Sequence, residues 1–181
     1  MNQENGHRFA AVKLAREISG DLAEFAAPNQ EKPAATPRLS PADELLDEYD
    51  RRILDPDMRA ATRSRFVSQH YADAVEAGVK ALNECVRNRA GRSEDGDDLM
   101  RIVFHPNGML LRINRGKSKS DESAQRGHML LCQGVVAAWR NPRAHALTDD
   151  EPLRAVMMLE LIGDLLQVTR AATRTRKRKK T

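Results

Sequence analysis

Apolar positions along the chain fall into helix-spaced stretches separated by polar or proline-rich breaks. Over 7–27, Phe9, Val12, Leu14, Ile18, Leu22 and Phe25 recur at spacings of two to four around Gly20 and predict an N-terminal helix. Pro28, Pro33, Pro37 and Pro41 then crowd a stretch with almost nothing to bury, which predicts a linker over 28–41. Ser40-Pro41-Ala42-Asp43 starts the next helix, with Ser as N-cap and Pro at the first helical position, and that helix runs to about Leu54. A longer helical stretch begins at Asp57. It keeps Phe66, Val67, Tyr71, Ala74, Val75, Val79, Leu82 and Val86 at three- and four-residue spacings to about Arg89, and Gly91 closes it.

A polar loop over 92–96 leads to a short helix over 97–104 with Leu99, Met100 and Val103 inward. His105-Pro106-Asn107-Gly108 reads as a turn, 109–113 as a brief extended piece and 116–121 as a polar loop. From Glu122 a second long helix carries Ala124, Met129, Leu130, Val135, Val136 and Trp139. It stops at Asn141-Pro142, because the residue before proline is pushed out of the α region. The last helix, about 150–172, is apolar over much of its circumference: Leu153, Val156, Met157, Leu159, Leu161, Ile162, Leu165 and Leu166. One core face would use roughly half of these, so the surplus predicts a second buried surface, most simply a subunit contact. The organisation is a helical segment over 1–27, a linker over 28–41, a helical domain over 42–172 and a basic tail over 173–181. The fold class is an all-α bundle with a short extended segment and an appended N-terminal helix.

Composition agrees with helices. Only four Phe, two Tyr and one Trp are present in 181 residues, too few aromatics for a β-sandwich or barrel. No apolar run approaches the ~20 residues that span a bilayer, and the N-terminus lacks the apolar core of a secretory signal. Cys85 and Cys132 form no CxxC pair, so a disulfide framework or zinc ribbon is not expected and the protein reads as cytoplasmic and reduced. The net charge of +4 is unevenly placed. Residues 170–181 hold four Arg, three Lys and no acid, while the other 169 residues carry 23 basic and 26 acidic groups, a net of −3. A mildly acidic body with a basic arm is the result.

Candidate chemistry gathers in Trp139-Arg140-Asn141-Pro142-Arg143-Ala144-His145, which joins the two most apolar helices. On an unbroken helix, residues five apart lie about 140° apart round the axis and do not converge. The Asn141-Pro142 break lifts that constraint and lets Arg140 and His145 face one pocket. Arginine supplies a permanent charge with donors shaped for phosphate oxygens. Histidine supplies a proton-transfer group near neutrality. An amide such as Asn141 orients either. Together they suffice for metal-independent RNA cleavage: His145 moves a proton at the ribose 2′-hydroxyl or the leaving 5′-oxygen, and Arg140 stabilises the phosphorane-like transition state. One His per chain does not easily serve as base and acid together, and a symmetric dimer supplies the second. The plainer alternative is that Arg140 caps helix carbonyls, Asn141-Pro142 is an ordinary turn and His145 caps or packs in the next helix.

At this segment the chain resembles the HEPN domains, a helical family whose ribonuclease members carry an R-x(4–6)-H motif with a polar residue after the arginine; Arg140-Asn141-Pro142-Arg143-Ala144-His145 fits the four-residue spacer. His70-Tyr71-x-x-Ala74-Val75, Leu82, Val86-Arg87, Leu99-Met100, Phe104, Gln125-x-Gly127, Gly134 and the closing motif resemble, in order, the uncharacterised Ymh-type bacterial family. That likeness covers about 50–169. It implies an all-α bundle, a homodimer, and metal-independent endoribonuclease activity in a toxin–antitoxin, abortive-infection or phage-defence setting, with Arg140, Asn141 and His145 catalytic. Some HEPN domains bind nucleotides or act as inactive scaffolds, so a non-catalytic binding subunit of a defence complex stays open, as does an antitoxin or other partner protein.

His7, His70, His105 and His128 show no HExxH or Hx3H spacing, and no glycine-rich phosphate loop is present, so neither a metal nor a nucleotide cofactor is expected. Arg143 is a candidate second phosphate contact or a surface charge, and Trp139 packs or stacks a base. The tail, with Arg174, Arg176, Lys177 and Arg178, reads as a disordered basic arm that adds salt-sensitive RNA affinity, or as a solubilising end.

Overall fold

The computed structural model describes residues 40–140 and 150–175, all of which lie in the unit 39–181. The expected N-terminal helix and nearly all of the linker lie outside the described residues. So do Asn141, Arg143, His145, Arg176, Lys177 and Arg178.

The first described helix, α1 (Pro41–Arg52), begins as the sequence predicts. Ser40 Oγ accepts the Asp43 amide at 3.2 Å while the Asp43 carboxylate accepts the Ser40 amide at 3.3 Å, a reciprocal capping box. Helix α2 (Pro56–Val67) is capped by Asp55, whose carboxylate accepts the amides of Asp57 and Met58 at 3.0 Å. Helix α3 (Tyr71–Ala90) follows, so the stretch expected as one helix from Asp57 is two. The break is a Schellman-type end: Gln69 sits at φ +63° and the His70 amide donates to Arg65 O at 2.9 Å, a six-to-one closure. Gly91 ends α3 in the same left-handed region, as expected.

Helix α4 (Gly96–Phe104) precedes strand β1 (Leu111–Arg112), and α5 (Lys119–Val135) starts inside the expected polar loop because Ser118 caps it. The α5 chain then widens into one π-helical turn, Val136–Arg140. Helix α6 (Pro152–Ala171) leads into β2 (Thr173–Arg174), which pairs antiparallel with β1, Leu111 opposite Arg174. Thr173 and Arg174, assigned to the tail by composition, are therefore part of the fold: Arg174 Nη2 also donates to Ala90 O at 3.2 Å, closing the end of α3.

The fold is all-α apart from this two-residue ladder. Its core lies between α3 and α6, the most extensively packed pair, with α2 on α3, α1 on α6, and α4 on α5. Val75, Val79, Leu82 and Val86 of α3 meet Val156, Leu159, Ile162, Leu165 and Leu166 of α6 in one buried cluster. Helix α6 is apolar on so many sides because it runs through the middle of the bundle, so most of the surplus assigned to a subunit contact belongs to the core. Leu153 and Met157 alone of the residues named for it are exposed. Leu130, one of the apolar residues that the second long helix carries, faces out beside Leu131. Among the described residues no helix is long and apolar enough to cross a membrane.

Candidate functional site

Arg140 is the last residue of the π-helical turn, and Trp139 before it is half-buried against the core. Arg140 Nη2 donates to Asp95 Oδ2 at 2.9 Å, with the arginine side chain 24% and the aspartate 47% exposed. Asp95 is the N-cap residue of α4, yet its side chain makes no capping bond there. An N-cap carboxylate ordinarily accepts an amide of the first turn, a bond worth about 1 kcal/mol. Here that carboxylate is used across the bundle instead. Its Oδ1 accepts from Asn83 Nδ2, and Arg87 Nη2 lies 3.8 Å away.

Asn83 is 2% exposed on α3, a buried amide that is well satisfied. Its Nδ2 donates to Asp95 and its Oδ1 accepts the Gly96 amide at 3.2 Å. Gly96 holds φ +61°, which lets the chain turn so that its amide faces Asn83. Partial burial alone would raise the Asp95 pKa, but the hydrogen bonds from Arg140 and Asn83 and the Arg140 charge outweigh it and hold the carboxyl below its ordinary value. Arg87 also pairs with Glu84 at 3.1 Å, and its Nε is buried with no hydrogen-bond partner among the described residues. Three elements thus converge on one carboxylate: α3 through Asn83 and Arg87, the start of α4, and the π-helical turn through Arg140.

A half-exposed ion pair contributes about 1 kcal/mol at most, so orientation of the guanidinium is its larger consequence. The pair uses one of the five N–H groups that an arginine carries. Such an arrangement presents a permanent cation of fixed direction, the form suited to an anionic oxygen.

The segment 141–149, with Asn141, Arg143 and His145, leaves the described structure at Arg140 and rejoins it at Asp150. Of the other sequence candidates, His105 Nδ1 accepts the Asn107 amide at 3.1 Å within its turn. His128 is buried on α5, edge-on to Phe104 with ring centroids 4.8 Å apart. Its Nε2 lies 3.6 Å from Cys132 Sγ and 3.5 Å from Thr169 Oγ1. Burial pushes the His128 pKa down to about 4 and the Cys132 thiol up to about 12, so both are neutral packing groups near neutrality. Among the described residues no three His, Cys, Asp or Glu side chains gather as a metal site would require.

Sequence reasoning missed Asp95 and Asn83 and gave Arg87 no role. The available hint was an amide at position 83, between the apolar residues 82 and 86 of an otherwise apolar helix face.

Residues 52–168 match the Hypoth_Ymh family model, described as a protein of unknown function, and the match includes Asn83, Arg87, Asp95 and the whole of 140–145. No curated protein and no solved structure matches the chain. Because that match spans well over half of its length, the protein belongs to the Hypoth_Ymh family.

Proposed function

We propose that the protein is a metal-independent endoribonuclease of HEPN type, acting as a homodimer in a toxin, abortive-infection or phage-defence system. The observation that carries this reading is the clamped guanidinium of Arg140, which heads the R-x4-H motif and is oriented by a carboxylate from another helix. In this mechanism the 2′-hydroxyl of a ribose attacks the adjacent phosphorus. One His145 accepts its proton and the second copy's histidine donates one to the departing 5′-oxygen, leaving a 2′,3′-cyclic phosphate. Arg140 meets the charge that develops on the phosphorane oxygens, and Asn141 holds an oxygen or the imidazole. DNA, which has no 2′-hydroxyl, is not a substrate.

Exposed Leu130 and Leu131 on α5 and Leu153 and Met157 on α6 support a partner surface, since these two helices flank the segment that carries the motif. They equally favour a second reading, a non-catalytic HEPN-like subunit that docks a protein or nucleic acid within a defence complex. Purified wild type and His145→Ala, each incubated with total bacterial RNA in EDTA and with matched DNA, separate the two. Cleavage of RNA alone by the wild type, with cyclic phosphate ends and a silent variant, is the expected outcome. Folded, dimeric protein that binds RNA without cutting it favours the subunit, and equal cutting by both proteins removes His145 from the mechanism.

A further inference from the structure

We propose that Asp95 is the positioning residue of Arg140: it fixes the direction of the guanidinium without touching substrate. The inference rests on the nuclease reading only for its effect on cleavage; the positioning itself is a property of the fold. Three observations converge on it. Asp95 occupies the N-cap of α4 and yet turns its carboxylate away from the helix it should cap, towards a partner 45 residues on. The carboxylate is itself held from behind by Asn83, which the Gly96 amide holds in turn at 3.2 Å. Gly96 completes the fit through its backbone: its φ of +61°, which side-chain-bearing residues rarely adopt, turns its amide onto Asn83.

A local rule broken for a long-range contact, with a buried group supporting that contact, is how folds fix a functional side chain in advance. Without the carboxylate, the arginine at the end of a widened helical turn would sample its rotamers and meet a phosphate in many directions. With it, one edge of the fork is occupied and the rest is presented in one orientation. Asp95 also balances the cation between turnovers, so the arginine stays bound to the fold when no phosphate is there.

The test compares Asp95→Asn with Asp98→Asn, a control on the same helix whose residue pairs with exposed Arg101. Wild-type protein with isotope-labelled arginine should show separate, slowly exchanging Nη resonances for Arg140, identified by their loss in Arg140→Lys. In Asp95→Asn they should merge as the guanidinium turns freely, and in Asp98→Asn they should not. For RNA cleavage, Asp95→Asn should lower kcat on the order of a hundredfold with KM little changed, as for a displaced catalytic group. Adding Asp95→Asn to Arg140→Ala should cost nothing more. Separate Arg140 resonances persisting in Asp95→Asn, or cutting by that variant as fast as wild type or faster, would overturn the assignment. A wild type that never cuts RNA, with resonances that still merge in Asp95→Asn, instead brings down the nuclease reading and leaves the positioning role standing.

Discussion

His128 illustrates how one buried side chain ties this fold to pH. Desolvation is the main cause of its pKa of about 4, and the Asp164 carboxylate opposes the shift. The folded protein therefore binds the proton more weakly than the unfolded chain does. The stability that a neutral His128 contributes is fully present above the ordinary histidine value of 6.5 and is lost as pH falls towards about 4. The shift corresponds to about 3 kcal/mol across that window. Urea unfolding between pH 7 and pH 4 should show a falling midpoint in the wild type and a much flatter one in His128→Gln. Identical pH profiles would remove His128 as the cause. At the same scale, Arg140 was legible in the sequence because charge, neighbours and spacing all sit within seven residues. Asp95 was not, because its partner lies 45 positions away and its own setting, within the polar stretch 92–98, reads as an ordinary loop. Gln125 was visible only as part of a resemblance. Its amide donates to Phe104 O at 3.0 Å and Leu111 O at 3.1 Å and accepts from the Ile113 amide at 3.0 Å, joining three elements that no local pattern connects.

Helices differ in what their glycines face, and two of them give opposite expectations for the same change. Gly78 lies on α3 where α2 and α6 both press close: a Cβ there would meet Leu159 Cδ2 at 2.9 Å and Met58 Cε at 3.0 Å. Both neighbours are fully buried and have little room to move, so overpacking exceeds the gain in helix propensity. Gly78→Ala should destabilise by about 1 kcal/mol. Gly127 on α5 has no described residue within 4 Å of its Cβ position. There the alanine gains only, and Gly127→Ala should stabilise by about 1 kcal/mol. Chemical denaturation of both variants checks the pair; equal signs would show that packing around these two glycines does not decide the effect. Helix starts were legible because serine, aspartate and proline act locally, as at Ser40-Pro41. The end of α2 was not, since a glutamine rather than a glycine takes the left-handed position and apolar spacing continues across it. The pairing of β1 with β2 joins residues more than sixty positions apart and leaves no periodic trace.

For the molecule as a whole, the charge on the C-terminal stretch separates into two kinds once the fold is known. Of the seven basic residues from Arg170 onward, Arg170 is bound to Asp55 and Asp57, and Arg174 closes α3 at Ala90 O. Five remain beyond Thr175: Arg176, Lys177, Arg178, Lys179 and Lys180. Because the rest of the chain is mildly acidic, any long-range attraction to RNA should come from these five together with Arg140 and Arg143. Each phosphate neutralised on single-stranded RNA contributes about 0.7 to the slope of log affinity against log salt. A chain ending at Thr175 should therefore lose up to about 3.5 from that slope and bind RNA more weakly at low salt. Its fold should persist, and with it the proposed cleavage at saturating RNA, because Thr175 still donates its amide to Leu110 O at 2.9 Å and β2 is intact. Ending the chain at Ala172 is a different experiment. It removes β2 and the Arg174 bond to Ala90, so it should lower stability as well as affinity. Fluorescence titrations at several salt concentrations, paired with unfolding curves, distinguish the two truncations. If the Thr175 truncation keeps the full slope, the arm has no part in RNA binding and the contacts must come from the bundle itself.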